Sequence, residues 1–255
     1  MLPTAQAVRY VVPLREGGSL PGVVEADDDG TWVLKFRGAG QGVKALVAEV
    51  VVGELARALG IRVPVLKAVE LPAQIARYEA DEEVQDLLTA SVGLNLGMDL
   101  LPGAFNYDPT HPPPSEEAAA ILWLDAYTAN IDRTPYNPNL LRWHRNTWCI
   151  DHGAALYFHH SWPSKGADPA RFAAQSFDAS THVLRPVARG LARTHERFSS
   201  LIDQALLDGV VERVPDQWLE PAPGLEDPTA VRVSYVEHLL ARLDSPTPWL
   251  PQDAS

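Results

Sequence analysis

The sequence predicts an α+β protein built in two lobes, on three observations. β-Branched and aromatic runs crowd the first third of the chain around one helical stretch. A Gly/Pro-rich connector follows at residues 93–114 (GLNLGMDLLPGAFNYDPTHPPP). The remainder is helical apart from a single β-hairpin. The expected lobes are residues 1–97 and 98–255, a length that allows each a core of its own.

In chain order, residues 8–12 (VRYVV) read as a first strand, and residues 17–22 (GGSLPG) as a turn from which Val23 and Val24 resume a strand. The acidic turn at 26–30 (ADDDG) leads into a strand at 31–36 (TWVLKF). Residues 43–59 carry Leu46, Val47, Val50, Val51, Leu55 and Leu59 at helical spacing, with Gly60 placed to end the helix. Residues 61–71 (IRVPVLKAVEL) read as a strand pair interrupted by Pro64, and residues 73–88 as a mixed polar stretch. A helix over 115–129 opens on Ser115 as N-cap, with Glu116 and Glu117 in the first turn where the helix dipole favours them. Residues 140–153 (LLRWHRNTWCIDHG) read as strand, tight turn at Arg145-Asn146, and second strand. Helices are expected at 180–193, 195–207 and 230–243, and a loose Pro-rich tail at 244–255.

Composition narrows the function classes. A net charge of −12 argues against a general nucleic-acid or anionic-membrane binder. The one cysteine, Cys149, excludes an intrachain disulfide framework and fits a reducing, cytoplasmic compartment. Residues 1–14 lack the basic start and apolar core of a secretory leader, and no run approaches the ~18 apolar residues of a membrane span.

Phosphoryl transfer needs groups that neutralise polyphosphate, oxygen ligands for a divalent cation, and a base beside the acceptor hydroxyl. The turn Gly17-Gly18-Ser19 offers backbone N–H groups to phosphate, although glycine turns are common in hairpins. Lys35 alternates with apolar neighbours on a strand, where a lysine taken alone reads as a solvent-face residue. Glu49 stands among valines and needs a partner if buried; Lys35 is the natural one, and Glu54 competes as an ordinary exposed helix acid. Asp132 opens an Asn/Pro-rich loop holding Asn137 and Asn139, and Asp151 ends the hairpin. Singly these are turn residues. In this order they make an acid–base and metal-binding set.

Those motifs carry a resemblance. Asp132 with Asn137 reproduces the D-x-x-x-x-N catalytic-loop spacing of the protein-kinase-like superfamily, NIDR resembles the DR loops of phosphoinositide kinases, and IDHG resembles the DFG metal motif with His152 in place of Phe. Residues 48–64 (AEVVVGELARALGIRVP) are similar to a helix of the HipA-like kinases, which is the family the chain most resembles. The resemblance covers residues 17–158 and implies a two-lobed kinase-like fold: an antiparallel sheet with one helix in the N-lobe, and a mainly helical C-lobe with a catalytic hairpin. It implies that Lys35, held by Glu49, contacts the ATP phosphates, that adenine lies against Met98, Leu100 and Leu101, and that Asp132 serves the acceptor hydroxyl. Asp151 and an asparagine would hold Mg²⁺: spacing from Asp132 selects Asn137, whereas position directly before the Leu140-Leu141 strand selects Asn139.

The implied activity is transfer of the ATP γ-phosphate to a hydroxyl, serine or threonine among them, on an unidentified protein or small-molecule acceptor. The alternative is a nucleotide-binding pseudokinase or interaction module without turnover. HRD and APE motifs are absent, so no activation segment is carried over. The chain is expected to be too short for the extra N-terminal subdomain of the full-length toxin of the family, so an antitoxin partner is not carried over either.

Overall fold

A computed structural model describes residues 1–15, 20–77 and 79–253. Two compact units emerge: Met1–Val47 with Pro64–Pro102, and Ala48–Val63 with Gly103–Ser255.

The first unit is a barrel. Strands β1 (Thr4–Pro13), β2 (Gly22–Ala26), β3 (Thr31–Lys35), β4 (Leu66–Leu71) and β5 (Gly93–Asp99) close in the order β1-β2-β3-β5-β4. Four of the pairings are antiparallel. The closing pair, Thr4↔Ala68 to Gln6↔Glu70, is parallel, so the expected antiparallel sheet is instead a closed barrel of mixed pairing. Closure leaves no free edge. Ala7, Val24, Trp32, Leu34, Phe36, Val69 and Leu71 fill the core, joined by Val84 and Leu88 from α3 (Glu82–Ala90), which follows the one-turn α2 (Ala73–Ala76). That helix begins where the Asp81 carboxylate accepts from the N–H groups of Glu83 and Val84.

Two strand expectations change. Residues 61–65 are not a strand, and β4 starts only at Leu66, beyond Pro64. The first seven residues of the expected connector form β5, buried on both faces, which erases the period-two pattern. Its second glycine is a packing residue: a Cβ on Gly97 would lie 2.7 Å from Val69 Cγ2. Buried Asn95 is satisfied by donating to the carbonyls of Ser91 and Gly93 and accepting from Arg37 N–H, each at 2.8 Å.

Helix α1 (Gly42–Ala58) runs from the first unit into the second. Its apolar residues are buried on nearly all sides. It ends as expected at Gly60, whose φ of +80° lets Gly60 N–H reach Arg57 O at 3.1 Å and Ile61 N–H reach Ala56 O at 2.9 Å.

The second unit is organised by α4 (Ser115–Thr128), in which every side chain from Ala118 onward is buried. Pro114, not Ser115, is the N-cap, and Ser115 is the first helical residue. The helix stops at Ala129, in the left-handed region at φ +55°. A three-stranded sheet of β6 (Phe105–Asn106), β7 (Leu140–Trp143) and β8 (Asn146–Cys149) follows the order β6-β7-β8. The β7–β8 turn is His144-Arg145, both at positive φ, because Asn146 already pairs with Trp143. It lies one residue earlier than expected.

Beyond the sheet lie α6 (Pro169–Ala174), α7 (Leu191–Ser199), α8 (Gln204–Val211) and α9 (Pro228–Asp244), with a short α5 (Trp162–Lys165) before them. The helices expected at 180–193 and 195–207 are displaced: residues 180–190 are turns and irregular backbone, and Asp203 caps a fresh start for α8. The tail is docked, contrary to expectation. Trp249 is 1% exposed and packs edge-on against Trp123, and its indole N–H donates to Arg242 O at 2.7 Å. Asp253 accepts from the N–H groups of Gly190 and Leu191 at the start of α7. Among the described residues no helix is long and apolar enough to cross a membrane.

Candidate functional site

The candidate catalytic residues gather inside the second unit, where the end of α4 meets the flanks of the β7–β8 hairpin. The left-handed turn at Ala129 brings Asn130 back onto the helix: its N–H donates to Asp125 O at 2.8 Å and its side-chain amide to Asp125 Oδ1 at 2.9 Å. Asn130 Oδ1 in turn accepts from Asp132 N–H at 3.2 Å. The loop therefore leaves the helix in a fixed direction, with Asp132 half-buried at its start.

Asp132 Oδ2 accepts from the side-chain amide of Asn137 at 2.8 Å and from that of Asn139 at 3.4 Å. Burial first, and then the nearby charge of Asp151, push the Asp132 carboxyl above the ordinary aspartate value; the two asparagines oppose that rise. The two asparagines differ in setting. Asn137 is exposed, and its loop is closed by Thr134 N–H to Asn137 O at 3.0 Å. Asn139 is 9% exposed, and its carbonyl accepts from Ile150 N–H at 3.1 Å, beside Asp151. Asn139 and Asp151 both hold left-handed backbone, at φ +49° and +57°. Asn and Asp tolerate that region better than other side-chain-bearing residues.

Beneath this pair lies a network of residues outside the expected site set, centred on Asp125. Asp125, fully buried in α4, accepts from Arg133 Nε at 2.6 Å and from His182 Nε2 at 3.0 Å. Burial would raise the Asp125 carboxyl, but Arg133 and then His182 outweigh it and hold the group well below its usual range. His182 Nδ1 accepts from Leu184 N–H at 3.1 Å, which places the ring proton on Nε2 and makes Nε2 the donor to Asp125. Arg133 also reaches Ile150 O at 3.2 Å, the Asn139 carbonyl, and Nδ1 of buried His152 at 3.3 Å. The one signal for this network was Asp125 itself, a lone charge in the apolar run AAAILWLDAYTA.

The other expected residues lie on the following elements. Lys35 is half-buried on β3, opposite Leu96 of β5, in the first unit. Met98 is buried on β5 opposite Val33, and Leu100 N–H donates to Thr31 O at 3.1 Å, with Leu101 buried after it. Glu49 is 1% exposed on α1, in the second unit. Gly17, Gly18 and Ser19 lie outside the described residues.

Two carboxylates and an amide oxygen are hard donors of the kind that suit Mg²⁺ or Mn²⁺, and the elevated Asp132 beside Asp151 is a charge conflict that a divalent cation would relieve. The chemistry of this donor set fits such an ion.

Comparison with solved structures finds a kinase-like fold. The crystal structure of the Golgi casein kinase with Mn/ADP bound superposes with a TM-score of 0.53 at 14% identity, over 95% of this chain and 74% of that one. The Helicobacter pylori proinflammatory kinase CtkA gives a TM-score of 0.47 at 12% identity, over 94% of this chain and 98% of its own. No curated protein matches the sequence. The family model described as HipA-like kinase matches residues 8–251, nearly the whole chain. The chain belongs to the HipA-like kinase family.

Proposed function

We propose that this protein is an ATP- and divalent-metal-dependent phosphotransferase that moves the γ-phosphate of ATP to a hydroxyl of a protein or small-molecule acceptor. The observation that carries the reading is the Asp132–Asn139–Asp151 cluster, with the Asp132 carboxyl raised beside a second carboxylate and held by two amides.

Asp132 is the base. The acceptor oxygen attacks the γ-phosphorus as the bond to the β,γ-bridging oxygen breaks; ADP leaves with that electron pair, and Asp132 receives the hydroxyl proton. When bound, Mg²⁺ or Mn²⁺ supplies charge neutralisation on the phosphate oxygens. Between the two asparagines, Asn139 is assigned to the metal because it is buried and tied to the residue before Asp151. Asn137 is assigned to orienting Asp132.

By the family pattern, Lys35 serves the α/β-phosphates with Glu49 as its carboxylate partner. Met98, Leu100 and Leu101 serve the adenine, and Gly17, Gly18 and Ser19 the phosphate loop.

The test is ATP turnover by the purified protein with Mg²⁺ or Mn²⁺, with Asp132→Ala and Asp151→Ala alongside. Turnover in the wild type and its loss in both variants is expected. ATP binding without turnover in the wild type would replace this reading with a pseudokinase, and no ATP binding would end it.

A further inference from the structure

We propose that Arg133 is a positioning residue that sets the distance between the Asp132 loop and the Asn139/Asp151 pair, with Asp125 and His182 fixing the guanidinium; this rests on the phosphotransferase reading. A guanidinium has five N–H donors. Here all five are used, at a side chain with no solvent exposure. Nε and one Nη2 hydrogen go to the two oxygens of Asp125, the other Nη2 hydrogen to His152 Nδ1, and the two Nη1 hydrogens to the carbonyls of Asn139 and Ile150.

One rigid plane therefore spans three segments. It adjoins Asp132 in sequence. It holds the backbone of Asn139 directly, and it holds the peptide that enters Asp151 through Ile150 O. Asn139 and Asp151 are the two left-handed residues of the cluster. Such residues persist only where their surroundings over-determine them. Arg133 supplies that constraint from below, and its own backbone carbonyl accepts from Val183 N–H at 3.0 Å, next to His182.

A merely structural ion pair would need only Asp125 and Arg133. The Nη1 bonds to the two carbonyls contribute nothing to that pair's charge balance, yet they sit on the residues assigned to the metal. Lysine keeps the charge but has three donors on one atom and cannot span these acceptors.

The experiment compares wild type with Arg133→Lys. A double variant, Arg133→Met with Asp125→Leu, removes both buried charges at similar volume and keeps the test open if the lysine variant fails to fold. Mn²⁺ binding in the presence of ADP is followed by electron paramagnetic resonance, alongside thermal melting and the kcat and KM for ATP. The expected result is Mn²⁺ affinity weakened about 10–100-fold in the folded variants, as for loss of residues that orient metal ligands. The fall in kcat should be similar or larger, with KM for ATP within about threefold of wild type. Melting temperature lowered with Mn²⁺ affinity and kcat unchanged would reduce Arg133 to a structural residue and overturn the proposal, while the phosphotransferase reading stands. A wild type that neither binds Mn²⁺ with ADP nor turns over ATP would overturn both.

Discussion

Asn137 donates to the Asp132 carboxylate at 2.8 Å from an exposed position, whereas Asn139 reaches the same oxygen at 3.4 Å from a buried one. The shorter bond belongs to the residue that is farther from Asp151 along the hairpin pairing. If Asn139 holds the metal, Asn139→Ala should lower ATP turnover by about 10²-fold or more and raise the Mg²⁺ concentration for half-maximal rate. Asn137→Ala should cost about tenfold or less and leave the Mg²⁺ dependence in place. A magnesium titration of both variants decides the assignment, and the reverse ranking would move the metal to Asn137.

Asp132 is raised by burial and by Asp151, so its carboxylate form is reached only above the ordinary aspartate range. Base catalysis needs that form. Turnover should therefore fall as pH drops through the raised value, with the acid limb of kcat/KM above about pH 3.9. Asp132→Asn should remove the limb and about 10²–10⁴ of the rate. A limb that survives in Asp132→Asn would assign it to another group.

Asp125 has the opposite sign. Its folded carboxyl is held below its unfolded value, so its stabilisation is fully present above about pH 3.9 and is lost as pH falls toward the folded value. Asp125→Asn leaves Arg133 buried without its carboxylate and should cost about 3–5 kcal/mol at neutral pH. The difference should shrink in acid. Urea denaturation at pH 7 and pH 3 measures both, and a pH-independent difference would count against the ion pair as its origin.

The docked tail makes its own prediction. Trp249→Ala removes a buried indole from the Trp123–Tyr127 cluster and should cost about 3–5 kcal/mol. Asp253→Ala removes only the capping bonds at α7 and should cost about 1 kcal/mol. Thermal melting separates the two, and a neutral Trp249→Ala would restore the loose tail that its prolines suggest.

Cys149 is buried on β8, and burial pushes its thiol up to about 12. The native protein should be inert to a thiol reagent such as dithionitrobenzoate at pH 8, reacting once per chain only in denaturant.

What the sequence made legible was whatever rests on local pattern. Helix α1 follows from its leucines and valines, and Gly60 ends it where expected. The spacing of Asp132, Asn137, Asn139 and Asp151 pointed to one cluster, because a short hairpin brings its two flanks together. Glycine misled at β5, where Gly97 marks close packing against Val69 rather than a turn. Non-local partners were not legible. His182 meets Asp125 across 57 positions, and no periodicity announces such a pair. The same holds for the tail, whose fate depends on where Trp249 finds Trp123 and Arg242.

The parallel closure between Thr4 and Ala68 has a consequence for how the chain is made. Once synthesised, β1 cannot complete its hydrogen bonds until residue 68 has followed it. At about 5–20 residues per second that interval lasts several seconds. During it, the Thr4–Gln6 side of β1 that β4 will take is unpaired, while Val8, Val11 and Val12 farther along the strand are exposed even in the finished barrel. That unpaired edge therefore persists for a defined interval, which ends when β4 is synthesised.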